Sequence, residues 1–546
     1  MGKWLTALAR GASGLLWLLA LAVLLFYLYV YWTYAEALLH FPFDYDQGES
    51  YDVYSGILLG QGRWIYNDNS LYPFYSSNYP PLYSVLVSLA VRFLGPSLFA
   101  GRLISVVASC MIGLLIYAIV SRRTRSRVIG VTAALAFFAS TYVYHVTPLA
   151  RVNPSMALFA LMGVYCTGKL RWRWLALGVL FLLFALYTKQ TAVDAVAASL
   201  LYLLLCRWRR ALVVGIILAV LGGGTFYLLD QQSAGQFYLN VVAANINPFD
   251  WGQAERYYLN FLEIHGLLLG LSTLGIALAL WKRRLTIYHL YALTSIGMAA
   301  GAGKWGAGES YFLNAVVATC IVAGLTLGQL RTNLSIGLRP VLPLLLLLQM
   351  PLLWHGPYDG TKWGLVDRGL QQSVLGQPPS ARDEAAGWCI VGYVDRSKGD
   401  VLLEESSFAL ADRKPIIGNP SQLLNLSQLG QWDERWLVDA LNRQHFGLVV
   451  LTAHFYPQSV LEAIGKNYGT VDIIEMGDVP YRVLLPNPVQ AQALNASDET
   501  VSSAAPEEVP TETEPPQEAD LGSEPTDPTS GIPPDDGDVA NDLPSR

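Results

Sequence analysis

Apolar runs of roughly 17 to 22 residues recur along this 546-residue chain, and they constrain its fold more than any other feature. They begin near Leu15, Phe99, Val128, Pro154, Trp174, Thr191, Ala211, Ile264, Leu285, Tyr311 and Val341. Each is about long enough to cross a hydrocarbon core as a helix. Membrane β-strands would instead alternate apolar and polar residues over only about ten positions. The expected class is therefore mainly α, a polytopic transmembrane bundle of about eleven spans. A hydrophobic content of 53% against 14% charged residues agrees with this, because soluble domains usually carry more charge. The expected surroundings are a lipid bilayer, with no nucleic-acid partner.

The first run lacks a small-x-small cleavage site and carries Trp17, so it reads as a retained helix rather than a signal peptide. Lys3 and Arg10 precede it and place the N-terminus in the cytoplasm by the positive-inside rule. The later basic clusters are Arg122 to Arg127, Lys169 to Arg173, Arg207 to Arg210, Lys282 to Arg284, and Arg331 with Arg339. They fall in alternate loops if residues 81–95 do not cross but lie at the interface. Residues 32–98 then hold one long outer loop. The turns at Pro148 to Asn153, Lys189, 231–262 and Gly303 to Ser310 share its side. The last span ends outside near Trp354, so the C-terminus is expected to be extracytoplasmic and the protein a multi-pass component of a plasma or inner membrane.

Three regions follow. Residues 1–355 form the membrane domain. Residues 384–486 mix short β-rich runs such as Gly447 to Thr452 with amphipathic stretches such as Arg435 to Arg443, and read as a small soluble α/β domain. Residues 487–546 hold 14 acids against Arg546 with almost no aromatic residue, a composition that cannot bury enough surface to fold. That tail contributes −13 of the total −6 and leaves the rest of the chain at about +7.

Chemistry concentrates in the outer segments. Asp44, Asp46 and Glu49 stand just past the first apolar helix, where a partly desolvated carboxylate can serve as general base toward a hydroxyl. A capping box, Asp46 at the N-cap and Glu49 at N3, explains the same spacing equally well. The turn Asn78-Tyr79-Pro80-Pro81-Leu82-Tyr83 is rigidified by two prolines and offers tyrosines for the headgroup zone or for a sugar. Arg151 and Lys189 are cations at outer span ends, able to hold a phosphate or to snorkel. The string Gly303 to Phe312 carries Lys304 and Glu309 but lacks the spacing of a nucleotide loop. No cysteine or histidine set has zinc spacing, so no cofactor is evident and a divalent metal stays open.

Together these motifs resemble the GT-C superfamily of polytopic glycosyltransferases, close to its protein O-mannosyltransferase and lipid A aminoarabinose transferase branch. The resemblance spans roughly residues 10 to 355. It rests on Asp46-Gln-Gly-Glu49, the Pro-Pro-Leu-Tyr83 turn, Gly95-Pro-Ser-Leu-Phe-Ala-Gly-Arg102, Arg151-Val-Asn153 and Thr188-Lys-Gln190-Thr191. It implies transfer of a sugar, with inversion, from a polyprenyl-phosphate donor to an extracytoplasmic acceptor whose identity is unknown. In that scheme Asp46 is the base, with Glu49 and Asp44 as its rivals. Lys189 and Arg151 hold the departing phosphate, and Tyr79, Tyr83, Arg102, Asn153, Gln190, Lys304 and Glu309 complete the substrate contacts. Relatives often carry an acid where this chain has Asn153, which puts a metal or acceptor contact there in doubt. A lipid-linked sugar flippase or an inactive scaffold are the competing readings.

Overall fold

The first apolar run folds as α1 (Lys3–His40), 38 residues long and so about 57 Å. The computed structural model describes residues 3–353, 377–453 and 455–488. After α1 come α2 (Glu49–Gly60), α3 (Leu82–Leu94), α4 (Leu98–Thr124), α5 (Arg127–Ala139), α6 (Thr141–Val146) and α7 (Val152–Thr167). Then follow α8 (Trp172–Thr188), α9 (Val193–Gln232), α10 (Gln236–Val241), α11 (Trp251–Trp281), α12 (Ile287–Met298), α13 (Leu313–Asn333) and α14 (Val341–Gln349). Among the described residues five stretches are long and apolar enough to cross a membrane: Thr6–His40, Leu98–Thr124, Gln190–Gln232, Trp251–Trp281 and Glu309–Asn333. Shorter apolar helices fill the bundle between them.

The two runs expected near Thr191 and Ala211 emerge as the single element α9, broken at Arg207, whose φ of −155° and ψ of 65° are not helical. The break is a reversal. A Cβ on Gly215 would lie 3.8 Å from Leu200, whereas fifteen residues of straight helix span about 22 Å. The hydroxyl of Tyr187 on α8 also donates to Gly222 O at 2.6 Å, which ties the returning half to α8. The runs near Val128 and Leu285 are shorter than expected, 13 residues in α5 and 12 in α12. In the first case Ser140 leaves the helical region at ψ 128° and starts α6 anew. In the second the chain tightens into a 3-10 turn over Ala299–Gly303.

Basic clusters gather at one end of the bundle and the acidic motif at the other. Arg331 donates to Ser126 Oγ at 2.8 Å, Arg122 to the Tyr165 hydroxyl at 3.1 Å, and Arg210 to Leu170 O. Arg102 opens α4 and Arg122 lies in its last turn, about 30 Å apart. Helix α3, over the residues expected at the interface, runs beside α2 and turns Val85, Leu89 and Phe93 outward. The close approach of α2 and α3 needs Gly56, where a Cβ would meet Val87 at 2.4 Å.

The C-terminal segment is α15 (Ala381–Arg396), β1 (Val401–Leu403), α16 (Ser407–Ala411), α17 (Pro420–Gln428), α18 (Arg435–Asn442), β2 (Leu448–Leu451), α19 (Gln458–Asn467), β3 (Tyr468–Met476) and β4 (Val479–Pro486). Its sheet has the order β1-β2-β4-β3, with β1 parallel to β2 and the other pairs antiparallel. Strands β1 and β2 are buried on both faces, as parallel strands covered by helices require. Met1–Pro486 forms one compact unit, so this α/β segment is docked on the loops of the motif end. Asn69 O accepts from Trp432 Nε1 at 2.8 Å, Asn240 Oδ1 from Gln422 at 2.6 Å, and Glu404 O from the Tyr51 hydroxyl at 3.0 Å. Glu404 itself is fully buried and accepts from the backbone N–H groups of Thr452, Ala453 and Phe455 at 2.7, 2.8 and 2.9 Å. The end of the last span near Trp354 and the acidic tail from 489 onward lie outside the described residues.

Candidate active site

The three carboxylates that the sequence leaves nearly equivalent separate sharply in space. Glu49 is fully buried and paired with Arg102, both side chains being 0% exposed. Its Oε1 accepts from Arg102 Nε at 2.8 Å and Ala150 N at 2.6 Å, and its Oε2 from Arg102 Nη2 at 2.7 Å, Tyr45 N at 2.8 Å and Asp46 N at 3.4 Å. Arg102 spends its other donor hydrogens on the carbonyls of Leu38, Phe41 and Phe43 at 2.5, 2.5 and 2.7 Å. All five guanidinium N–H groups are thus used. This pair buckles the C-terminal end of α1 to the acidic loop and to Ala150. Burial alone would push the Glu49 carboxyl up, but the charge and hydrogen bonds of Arg102 hold it below its ordinary value.

Asp44 is also buried, and it performs the capping expected of Asp46. It accepts from Ser50 N and Ser50 Oγ, both at 2.7 Å, and from Ser407 N of the C-terminal segment at 3.2 Å. Burial, with Glu49 nearby, pushes its carboxyl up to about 6.

Asp46 is left free of capping duty. Only half of the expected capping box forms, because Glu49 reaches back to Asp46 N while the Asp46 side chain turns toward Arg151. Its Oδ2 accepts from Arg151 Nε at 2.9 Å and also from Nη2, which in addition meets Gln47 O. The Asp46 side chain is 38% exposed against 19% for Arg151. Gly48 makes this meeting possible: its φ is +104°, and a Cβ there would lie 2.7 Å from Arg151 Nη1. The glycine of the Asp-Gln-Gly-Glu string therefore serves both the turn and the space for the guanidinium.

Beside Arg151, Lys189 is 5% exposed. It caps α8, and its ammonium donates to Asn153 Oδ1 at 3.4 Å. The ammonium also lies 5.4 Å from the Tyr79 ring centroid and 4.8 Å from that of Tyr311, within cation–π range. Asn153 donates in turn to Ser310 O at 3.3 Å. Among the described residues no carboxylate comes within ion-pair distance of Lys189. Burial, followed by the charge of Arg151, brings its ammonium down to about 8. The residue that meets the Lys189 ammonium is thus the neutral amide of Asn153.

The remaining expected contacts divide. Tyr79 joins the lysine, whereas Tyr83 is 1% exposed and donates to Gly101 O at 3.1 Å, a packing role between α3 and α4. Gln190 donates to Val241 O at 3.0 Å, and its Oε1 has no partner among the described residues. Lys304 is half-buried and acts on Lys189 through its charge. Glu309 does not pair with it but accepts from His145 Nδ1 at 2.9 Å. Three residues of this region escaped the sequence reading. Tyr311 and His145 carry no spacing signal. Asp52 does, since it repeats the three-residue step from Asp46 to Glu49 and so continues one helix face.

Residues 78–229 match the model of the family described as dolichyl-phosphate-mannose-protein mannosyltransferase. That match covers Tyr79, Arg102, Arg151, Asn153 and Lys189 but begins after the acidic motif. A search of curated proteins gave no match. Among solved structures, crystal structures of ArnT from Cupriavidus metallidurans share the fold. The apo form is 11% identical with a TM-score of 0.54. The form bound to undecaprenyl phosphate is 13% identical with a TM-score of 0.53. In both cases 84% of this chain and 97% of that one are covered. The family match thus covers part of this chain, residues 78–229, and the ArnT structures share its fold.

Proposed function

We propose that the chain transfers a sugar, with inversion, from a polyprenyl-phosphate donor to a hydroxyl acceptor on the extracytoplasmic side, with Asp46 as general base. One observation carries this reading: Lys189 and Arg151, buried or nearly so, are close enough to act on each other through their charges, and among the described residues no carboxylate comes within ion-pair distance of the lysine. Two desolvated cations next to a partly exposed carboxylate suit a reaction in which negative charge develops on a phosphate while a hydroxyl loses its proton.

The acceptor hydroxyl gives its proton to Asp46 and its oxygen bonds to the anomeric carbon. The anomeric C–O bond to phosphate breaks on the opposite face, its electron pair stays on the phosphate oxygen, and the polyprenyl phosphate leaves with one added negative charge. Lys189 and Arg151 stabilise that charge as it forms. Arg151 also orients Asp46, and Glu49 with Arg102 fixes the loop that carries it. The bound lipid of one fold relative, undecaprenyl phosphate, supports a donor of this chemical class. The full chain in detergent, supplied with polyprenyl-phosphate sugars and an envelope extract, should release polyprenyl phosphate. No release from any such donor would overturn the reading.

A further inference from the structure

Asp52 has no task in the reaction as written, yet it stands among the groups that perform it. It lies on α2, three residues beyond Glu49 and therefore on the same face. The side chain is 5% exposed, and its nearest cation, Arg151 Nη1, is 4.0 Å from Oδ2. That oxygen is buried and accepts no hydrogen bond from the described residues. Arg151 commits Nε and Nη2 to Asp46 and Gln47 O, so Nη1 is the nitrogen turned between the two carboxylates. An unpartnered buried carboxylate oxygen is costly and is best explained by a group that arrives later.

The charges around this point nearly cancel. Asp46 and Glu49 face Asp52 from its own loop and helix, Arg151 from the start of α7, and Lys189 from the α8–α9 turn. The hydroxyls of Tyr75, Tyr79 and Tyr83 sense it from the loop and from α3. Glu49 is matched by Arg102, which leaves Arg151 and Lys189 against Asp46 and Asp52. A phosphodiester entering here adds a negative charge that the two cations already share with two carboxylates. One proton on Asp52 removes the excess and turns its oxygen from a repelling acceptor into a donor. Burial, opposed by Arg151 and Lys189, pushes the Asp52 carboxyl up to about 7, so this proton is available near neutrality.

Resting on the donor class given above, we propose that Asp52 is a positioning residue of the donor-phosphate subsite: protonated, it donates a hydrogen bond to a phosphate oxygen held by Arg151 Nη1 and Lys189, and ionised, it repels that phosphate. Donor binding then takes up one proton, which product release returns.

The test is binding of a polyprenyl methyl phosphodiester, a probe with the same single charge throughout, to the full chain in lipid nanodiscs. The wild type should bind most tightly at low pH and weaken toward about tenfold per pH unit above the Asp52 titration. Asp52→Asn, which keeps the shape and a donor, should bind near the wild type's best affinity and stay flat until Lys189 titrates. A wild-type profile without slope between about pH 6 and 7.5, or the same slope in Asp52→Asn, overturns the proposal while leaving the donor reading intact. Failure of the wild type to bind the probe at any pH overturns both.

Discussion

Replacing Glu49 by glutamine should unfasten the acidic loop without touching the reacting atoms. In the native protein this carboxylate accepts from Arg102, Ala150, Tyr45 and Asp46, and the side chains of the Glu49–Arg102 pair are both 0% exposed. The amide keeps the volume but presents N–H where a donor already stands, and it leaves the Arg102 charge buried without its counter-ion. Breaking such a pair costs about 3–5 kcal/mol. The three carbonyls that remain on Arg102 place this case near 3 kcal/mol, at about the lower end of that range. At roughly 2 °C per kcal/mol for a chain of this size, the unfolding midpoint should fall by about 6 °C. Differential scanning fluorimetry in detergent measures it, with Asp46→Asn as a control that should cost no more than ~1 kcal/mol and so move the midpoint by no more than about 2 °C, since Asp46 is partly solvated. Because its folded-state pKa is lowered, the Glu49 contribution is present above the ordinary glutamate pKa and lost as pH falls through the lowered one. A Glu49→Gln protein as stable as the wild type but as inactive as Asp46→Asn would refute this reasoning and make Glu49 the base.

Lys189→Met should raise the donor KM about 10- to 100-fold, the worth of a hydrogen bond to a charged group. In the wild type the lysine's share of donor affinity is present below about pH 8 and lost above it, and Lys189→Arg should move that loss to higher pH in a KM-against-pH series. Gly48→Ala should cost about 1–3 kcal/mol for a side chain at positive φ and displace Arg151, read as a fall in kcat in a protein that still purifies as a single species. Asp44→Ala removes the acceptor shared by Ser50 N and Ser407 N, a loss of about 1–2 kcal/mol. Hydrogen exchange should then quicken at residues 44–51 and 404–411 but not in β2.

Periodicity and run length carried the helical bundle, because an apolar stretch in lipid has few alternatives to a helix. They did not carry the break at Arg207, the shortening of α5 and α12, or the docking of the α/β segment on the motif loop, all of which depend on tertiary contacts. The carboxylate string shows the same divide. Its spacing allowed base or cap for each acid, and what distinguishes them lies far off in sequence: Arg102 is 53 residues from Glu49, and Arg151 is 105 from Asp46. Asp52 was legible as a third acid on the helix face yet unremarkable without Arg151 beside it. His145 sits in an apolar stretch, and nothing local marks it as the partner of Glu309.

The central claim is that Asp46, alone among the three acids of the motif, removes the acceptor proton. Its most direct measurement is the rate of sugar transfer from a polyprenyl-phosphate donor by wild type and Asp46→Asn, at saturating donor and matched folded protein. Loss of the base should slow transfer by roughly 10²- to 10⁴-fold with donor binding retained. An Asp46→Asn rate within a few-fold of the wild type would contradict the account.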